Sequence, residues 1–308
     1  MHGQFVWYEL MTTDSAAAKK FYPAVTGWGV TKWDDPGLDY SMWTAGGEPI
    51  GGVIDLTPEQ RSQGIPPNWL PYVAVDSVDG TSSKATALGA KVVVAPFDIP
   101  GVGRMAVITD PQGASLALYR SSGDAYLFDG TAKLGHMSWH ELTTTDHKAA
   151  LTFYSALFGW QKIQEMDMGG GAMYVIFGHG SKQYGGMFNS NPAWGNMPPN
   201  WLPYINVRDI KAAESAIKRG GARIMNGPME VPDGSWIITG TDLQGAVFAV
   251  HAVSAKAAAR AKANVGQKSR PAARKAKAKA KPKKKKARAK PARKAAKKKG
   301  KKKNKKKR

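Results

Sequence analysis

Apolar and polar residues alternate through "QFVWYEL" at 4–10, the period of a half-buried strand, and aromatics supply much of the apolar half. The period then changes. Ala150, Phe153 and Leu157 recur at i, i+3 and i+7, one face of a helix, and Asp14 and Asp146 stand where an N-cap belongs. Glycine closes each of these helices at "GW", residues 27–28 and 159–160. A meander of short strands follows. "WLPYVAVDS" at 69–77 and "WLPYINVRD" at 201–209 then read as strands feeding a second helix, ending at Gly89 in one copy and at Gly220 in the other. "DPQG" before "ASLALYR", and "DLQG" before "AVFAVHA", read as a turn and a closing strand.

These elements occur twice in one register. "WYELMTTD" at 7–14 falls on "WHELTTTD" at 139–146, "FYPAVTGW" at 21–28 on "FYSALFGW" at 153–160, and "IPPNWLPYVAV" at 65–75 on "MPPNWLPYINV" at 197–207. "TDPQGASLAL" at 109–118 matches "TDLQGAVFAV" at 241–250. Only "IGG" at 50–52 against "YGG" at 184–186 slips, by two residues. A register held over that length predicts a tandem repeat of two domains of ordinary size.

Composition adds a third segment. From Lys256 onward stand 28 of the 45 Lys and Arg and no Asp or Glu, so the net charge of +22 becomes −6 for the residues before it. The lysine-, alanine- and proline-rich tail has no aromatic residue to bury and is expected to be disordered by itself. The body, with ten Trp in the whole chain, is long enough for two cores. Cysteine is absent, which removes disulfides, thiolate metal ligands and Cys nucleophiles together. No apolar run approaches the ~18 residues of a membrane span and no basic-then-apolar leader opens the chain, so a soluble, cytoplasmic protein is expected.

A strand, "TTD", a helix ending in "FY…GW", a strand ending "V-D" before a second helix, and a closing "D-P-x-G" strand resemble the vicinal oxygen chelate superfamily of glyoxalase I, bleomycin-resistance proteins and extradiol dioxygenases. The resemblance covers roughly residues 3–252. It implies an α+β fold of two tandem domains, each built from paired βαβββ modules that roll into a cup-shaped sheet. The expected bounds are 1–125 and 126–253 for the domains and 254–308 for the tail. Fold does not fix function.

The family's usual chemistry needs a divalent metal held by His or Glu on cup-facing strands. The slots implied here hold Trp7 and Trp139, Leu70 and Leu202, and Ala117 and Ala249, none of which binds a metal. No metal and no other cofactor is therefore expected. Strand parity instead places Trp7, Glu9, Tyr72 and Tyr119 in the first cup and Trp139, Glu141, Tyr204 and His251 in the second. Aromatic walls with one carboxylate suit a small molecule. Glu9 or Glu141 against indole could act as a general base with Tyr or His251 as proton donor, or could be held by a neighbour in a packing role. Asn68, Asn200 and the Trp after each either line a cup rim or fix the entry to a strand. Two classes remain: a binding module for an unidentified small molecule, and a metal-independent lyase, isomerase or oxygenase-like enzyme. The tail, read by its resemblance to linker-histone tails, is expected to bind nucleic acid or another polyanion without reading sequence, in which case the protein would be nucleoid-associated. Oligomeric state is left open.

Overall fold

A computed structural model describes residues 2–33, 39–123, 133–191 and 197–257. The expected tail falls almost wholly outside the described residues. Among the described residues sixteen strands and five helices follow one another as the repeat predicts, in two sheet-dominated α+β domains. In the first, β1 (Phe5–Thr12), β2 (Gly29–Lys32), β3 (Ser41–Ala45) and β4 (Glu48–Asp55) form one module with α1 (Ser15–Thr26). The second module has β5 (Asn68–Ala74), β6 (Lys91–Ile99), β7 (Gly103–Thr109) and β8 (Ser115–Ser121) with α3 (Val78–Ala87), and the short α2 (Pro58–Ser62) precedes it. The eight strands make one sheet in the order β2-β3-β4-β1-β5-β8-β7-β6.

The second domain repeats this. Its strands are β9 (Met137–Thr144), β10 (Gln161–Asp167), β11 (Met173–His179), β12 (Lys182–Asn189), β13 (Asn200–Asn206), β14 (Arg223–Glu230), β15 (Trp236–Thr241) and β16 (Val247–Ala252), with α4 (His147–Phe158) and α5 (Ile210–Arg219). Their order is β10-β11-β12-β9-β13-β16-β15-β14. The central strands β1 and β5, like β9 and β13, run antiparallel, and each pairs in parallel with the last strand of its own module.

The helix signals act as expected. Asp14 accepts the Ala17 N–H and Asp146 those of Lys148 and Ala149, while Gly27 and Gly159 close α1 and α4 with φ of 76° and 74°. Helix α5 ends at Gly220, as read from the sequence, with an ordinary negative φ there; the left-handed glycine is the next residue, Gly221, with φ of +77°, the repeat partner of Gly89.

One core serves both domains, where the sequence suggested one for each. Phe5, Tyr22, Trp43, Trp69 and Val73 belong to the same buried cluster as Tyr154, Trp160, Phe177, Trp201 and Phe248. The repeated motifs turn out to be the seam. Trp69 Nε1–H donates to Tyr22 Oη (3.1 Å), which donates across the seam to Asp242 Oδ2 (3.0 Å). The mirror chain runs from Trp201 to Tyr154 (3.0 Å) to Asp110 Oδ2 (2.9 Å). In each Asp the other oxygen caps its own turn by accepting backbone N–H groups, from Gln112, Gly113 and Ala114 at Asp110 and from Gln244 and Ala246 at Asp242. The "GW" indoles cross too, Trp28 to the Gly135 carbonyl (2.6 Å) and Trp160 to that of Gly3 (2.7 Å). On the pseudo-axis Tyr8 donates to His140 Nε2 (2.5 Å), whose Nδ1–H is fixed on the Tyr184 carbonyl. Burial holds that imidazole neutral, with its pKa pushed down to about 3.

Trp69 and Trp201 thus face the core rather than a cup rim. Because each seam tyrosine is both acceptor and donor in a buried chain, its loss strands two polar groups. Tyr22→Phe should cost about 1–3 kcal/mol in urea unfolding, and Tyr154→Phe about the same. A cost no larger than that of an exposed Tyr→Phe change would show the chain to be energetically idle.

Candidate functional site

With the convex faces buried in the seam, the other face of each sheet is left as a cup. On β1, Trp7 and Glu9 point there; across β5, Trp7 pairs with Tyr72 and Glu9 with Leu70, and β8 sets Ala117 beside Tyr72 and Tyr119 beside Ala74. The second sheet repeats the register, with Tyr204 opposite Trp139 and beside Ala249, Leu202 opposite Glu141, and His251 beside Asn206. All eight expected site residues therefore lie on cup faces, four in each cup. A register break in β1, and its counterpart in β9, brings Val6 and Ser138 to the same side.

Each cup is organised by a tyrosine that sequence reasoning missed. In the second, Tyr174 donates to Glu141 Oε2 (2.9 Å) and accepts from Trp139 Nε1 (2.7 Å), while Tyr204 donates to Glu141 Oε1 (2.8 Å). In the first, Tyr40 donates to Glu9 Oε2 (2.9 Å) and accepts from Trp7 Nε1 (3.0 Å). Tyr40 and Tyr174 are 134 residues apart, the spacing of the slipped "GG" stretch, so that slip was the signal. The glycines explain themselves here. Gly52 and Gly186 neighbour Glu9 and Glu141 on the adjoining strand, and a Cβ there would lie 1.8 Å from the Tyr40 hydroxyl or 2.0 Å from the Tyr174 ring. Missing side chains leave the trough in which each ring lies.

Glu9 and Glu141 are half-buried. Burial raises the pKa of both carboxyls, and the tyrosine hydroxyls pull back against it without prevailing. The same burial, reinforced by the carboxylate, drives the Tyr72, Tyr174 and Tyr204 phenols well above their ordinary value, so they remain donors. His251 is lowered by burial and its Nδ1 is bonded to Ser138 Oγ (2.8 Å). The structure does not bring His251 to Glu141: β13 lies between their strands, and they sit opposite residues four apart on it.

A family metal would need three or more convergent donors. Among the described residues no three His, Cys, Asp or Glu side chains come together, and the register neighbours of Glu9 and Glu141 on β5 and β13 are Leu70 and Leu202. One carboxylate, already accepting phenolic hydrogen bonds, does not make up such a set. Of two further concavities among the described residues, one of about 300 Å³ adjoins Ala74 and Tyr119 of the first cup, with Arg120 and Asp76, at the ends of β5 and β8. The other, about 410 Å³, runs between α1 and α5 beside Lys20 and Arg219.

The profile of the Glyoxalase/Bleomycin resistance protein/Dioxygenase superfamily matches residues 4–118 and 133–250. The chain is 34% identical over 248 residues to "Putative glyoxylase CFP32" of Mycobacterium tuberculosis, covering 79% of this chain and 92% of that protein. It is 31% identical over 246 residues to "Anthracycline biosynthesis protein DnrV" of Streptomyces peucetius, covering 75% and 87%. In three dimensions it resembles the 2,3-dioxygenase LapB of Pseudomonas sp. KL28, with TM-score 0.57, 10% identity and coverage of 82% and 93%. The Mn(II)-bound glyoxalase of Novosphingobium aromaticivorans is similar at TM-score 0.55, 16% identity and 82% of each chain. At such identities the likeness of the solved structures speaks for the fold alone.

The raised carboxyl makes a signed prediction. Above the unfolded value near 4.5 the folded protein still holds the Glu141 proton while the unfolded chain has lost it, so that contribution to stability falls as pH rises through the folded value. Glu141→Gln removes the titration. Measured by urea unfolding from pH 4 to 8, the difference between variant and parent should move in the variant's favour as pH rises and then level off. A flat difference would mean that the Glu141 pKa is not raised.

Proposed function

Because the chain belongs to the glyoxalase/bleomycin resistance/dioxygenase superfamily, we propose that it uses the family's cup to bind a small, planar, oxygen-bearing organic molecule without a bound metal. The observation that carries this reading is the duplicated Trp–Tyr–Glu–Tyr cluster. An ionised carboxylate has about four acceptor positions; the two tyrosines at Glu141 use two, leaving the others for hydroxyl or N–H donors of a ligand. The indole beside it offers an apolar face for a flat ring. A carboxylate held by neighbouring phenols is an anchor, and this favours binding over catalysis. The name of the Streptomyces peucetius relative points to the same chemistry, since an anthracycline is flat and oxygen-rich.

The raised pKa of Glu141 favours one alternative, in which the carboxylate takes a proton from a bound carbon or oxygen acid. A tyrosine would be the donor in that scheme, because burial holds His251 neutral and β13 separates it from Glu141.

The test uses 1,4-dihydroxyanthraquinone, a flat ring system with phenolic donors and quinone acceptors, and follows quenching of tryptophan fluorescence in the full-length protein. Saturable quenching is expected, with Glu141→Gln weakening binding about tenfold or more, as loss of a charged hydrogen-bond acceptor does. Binding unchanged by Glu141→Gln would remove the carboxylate from the reading, and turnover of the bound compound would favour the enzyme.

The tail from 254 onward completes the proposal. With a body of net charge −6, attraction to a polyanion must come from the 28 basic residues from Lys256 onward, acting through counterion release. Pro and Ala spacing supplies no apolar anchor for a membrane surface, so we favour nucleic acid. A gel shift should show full-length protein binding unrelated DNA sequences alike and releasing them as salt rises, while residues 1–253 stay free. Retention by the truncated body, or insensitivity to salt, would sink this part.

A further inference from the structure

The two cups share a cluster but not a floor. In the first, Val6, Leu70, Tyr72, Ala74, Met105, Val107 and Ala117 form a buried hydrophobic cluster of their own, with Trp7, Met11, Ile99 and Tyr119 packed against it. Polar tips close it further. The Tyr72 hydroxyl reaches Met105 Sδ (3.8 Å), Tyr119 donates to the Val102 carbonyl (3.0 Å), and the two rings meet edge to face at 6.2 Å.

The second cup replaces that filling position by position. Ser138 stands for Val6, Thr143 for Met11, Ile237 for Met105, Thr239 for Val107 and His251 for Tyr119. Leu70, Met105 and Val107 are buried, whereas Leu202, Ile237 and Thr239 are half-exposed. No corresponding buried cluster forms there among the described residues. Instead the floor carries hydrogen-bonding groups at both ends. Glu141 with its two tyrosines lies at one end. His251, whose Nδ1 is taken by Ser138 and which the Asp233 carboxylate acts on, lies at the other.

Their separation sets the size of what fits. Two strand spacings of about 4.8 Å and four residues at about 3.3 Å put the two Cα atoms on the order of 16 Å apart in a flat sheet. Curvature of the cup and the reach of both side chains shorten the span to be bridged. A single-ring compound held by Glu141 would not meet His251; a compound of two or three fused rings would.

We propose that the second cup alone is the ligand site, that the first is closed by its own side chains, and that the ligand is an elongated fused-ring compound donating to Glu141 at one end and meeting His251 at the other. The proposal rests on the binding reading above, but closure of the first cup can be tested without any ligand. Met105→Ala and Ile237→Ala truncate equivalent positions. If the first cup is packed shut, Met105→Ala opens a cavity and lowers the melting temperature by about 5 °C or more. Ile237→Ala, on an open wall, should lower it by less than half as much. Equal shifts would overturn the closure. The second arm is calorimetric titration of the full-length protein with 1,4-dihydroxyanthraquinone. One molecule should bind per chain, His251→Ala and Glu141→Gln should each weaken it about tenfold or more, and Glu9→Gln should leave it within about twofold. Two molecules per chain, or equal loss on Glu9→Gln, would overturn the assignment of the site. Unequal melting shifts with no binding of the probe would leave the first cup closed and overturn the ligand class.

Discussion

The crossed chain from tryptophan to tyrosine to aspartate holds the molecule together and fixes where its cups face. A sheet of eight strands has two faces and must bury one. Here each domain buries its convex face against the helices and sheet of the other, and the two Asp–Tyr–Trp chains set the register of that contact. Apolar packing alone would tolerate sliding. A buried tyrosine hydroxyl that must both receive an indole N–H and reach a carboxylate does not, because a shift of an ångström strands polar groups at both ends. The concave faces are free of this duty, and so they can carry chemistry.

This division of labour explains what the sequence disclosed. The motifs long enough to be noticed twice place residues in the seam: "FY…GW", the Trp of "NWLPY", whose Leu and Tyr face the cup, and "TD-x-QG". They recur because the seam is nearly two-fold symmetric, and each must satisfy the same partner in the opposite domain. Periodicity and capping signals therefore placed the strands and helices closely, down to the N-caps at Asp14 and Asp146. What one chain's pattern could not reveal is that these residues meet across domains. The pattern around Trp69 and Trp201 fits a structural role and also allows a cup rim; their indoles on Tyr22 and Tyr154 decide for the structural one.

The cups were legible in part, for a related reason. Parity along β1, β5 and β8 is a local property, so the placement of Trp7, Glu9, Tyr72 and Tyr119 on one face followed from alternation. Tyr40 and Tyr174 escaped because they come from β-meander segments whose spacing between the repeats slips, and because their rings occupy troughs made by glycines that carry no side-chain signal. Val6 and Ser138 were assigned no role, since a register break puts two consecutive residues on one face and strict alternation cannot express that.

Symmetry also limits what the carboxylates can be doing. A residue kept in both halves of a duplicated fold can be kept for the scaffold, and the Glu–Tyr–Trp cluster meets that description in either cup. The departures from symmetry are more informative. Ser138, Thr143, Thr239 and His251 all replace apolar or aromatic residues and all lie on the same concave face; Ser138 and Thr143 stay buried, while Thr239 and His251 stand half-exposed. Polar groups on a half-exposed floor cost stability compared with the filled alternative, as the closed first cup shows is available to this fold. Such a cost is offset when a ligand supplies the missing contacts, which is why the less symmetric cup, rather than the shared cluster, carries the stronger claim to function.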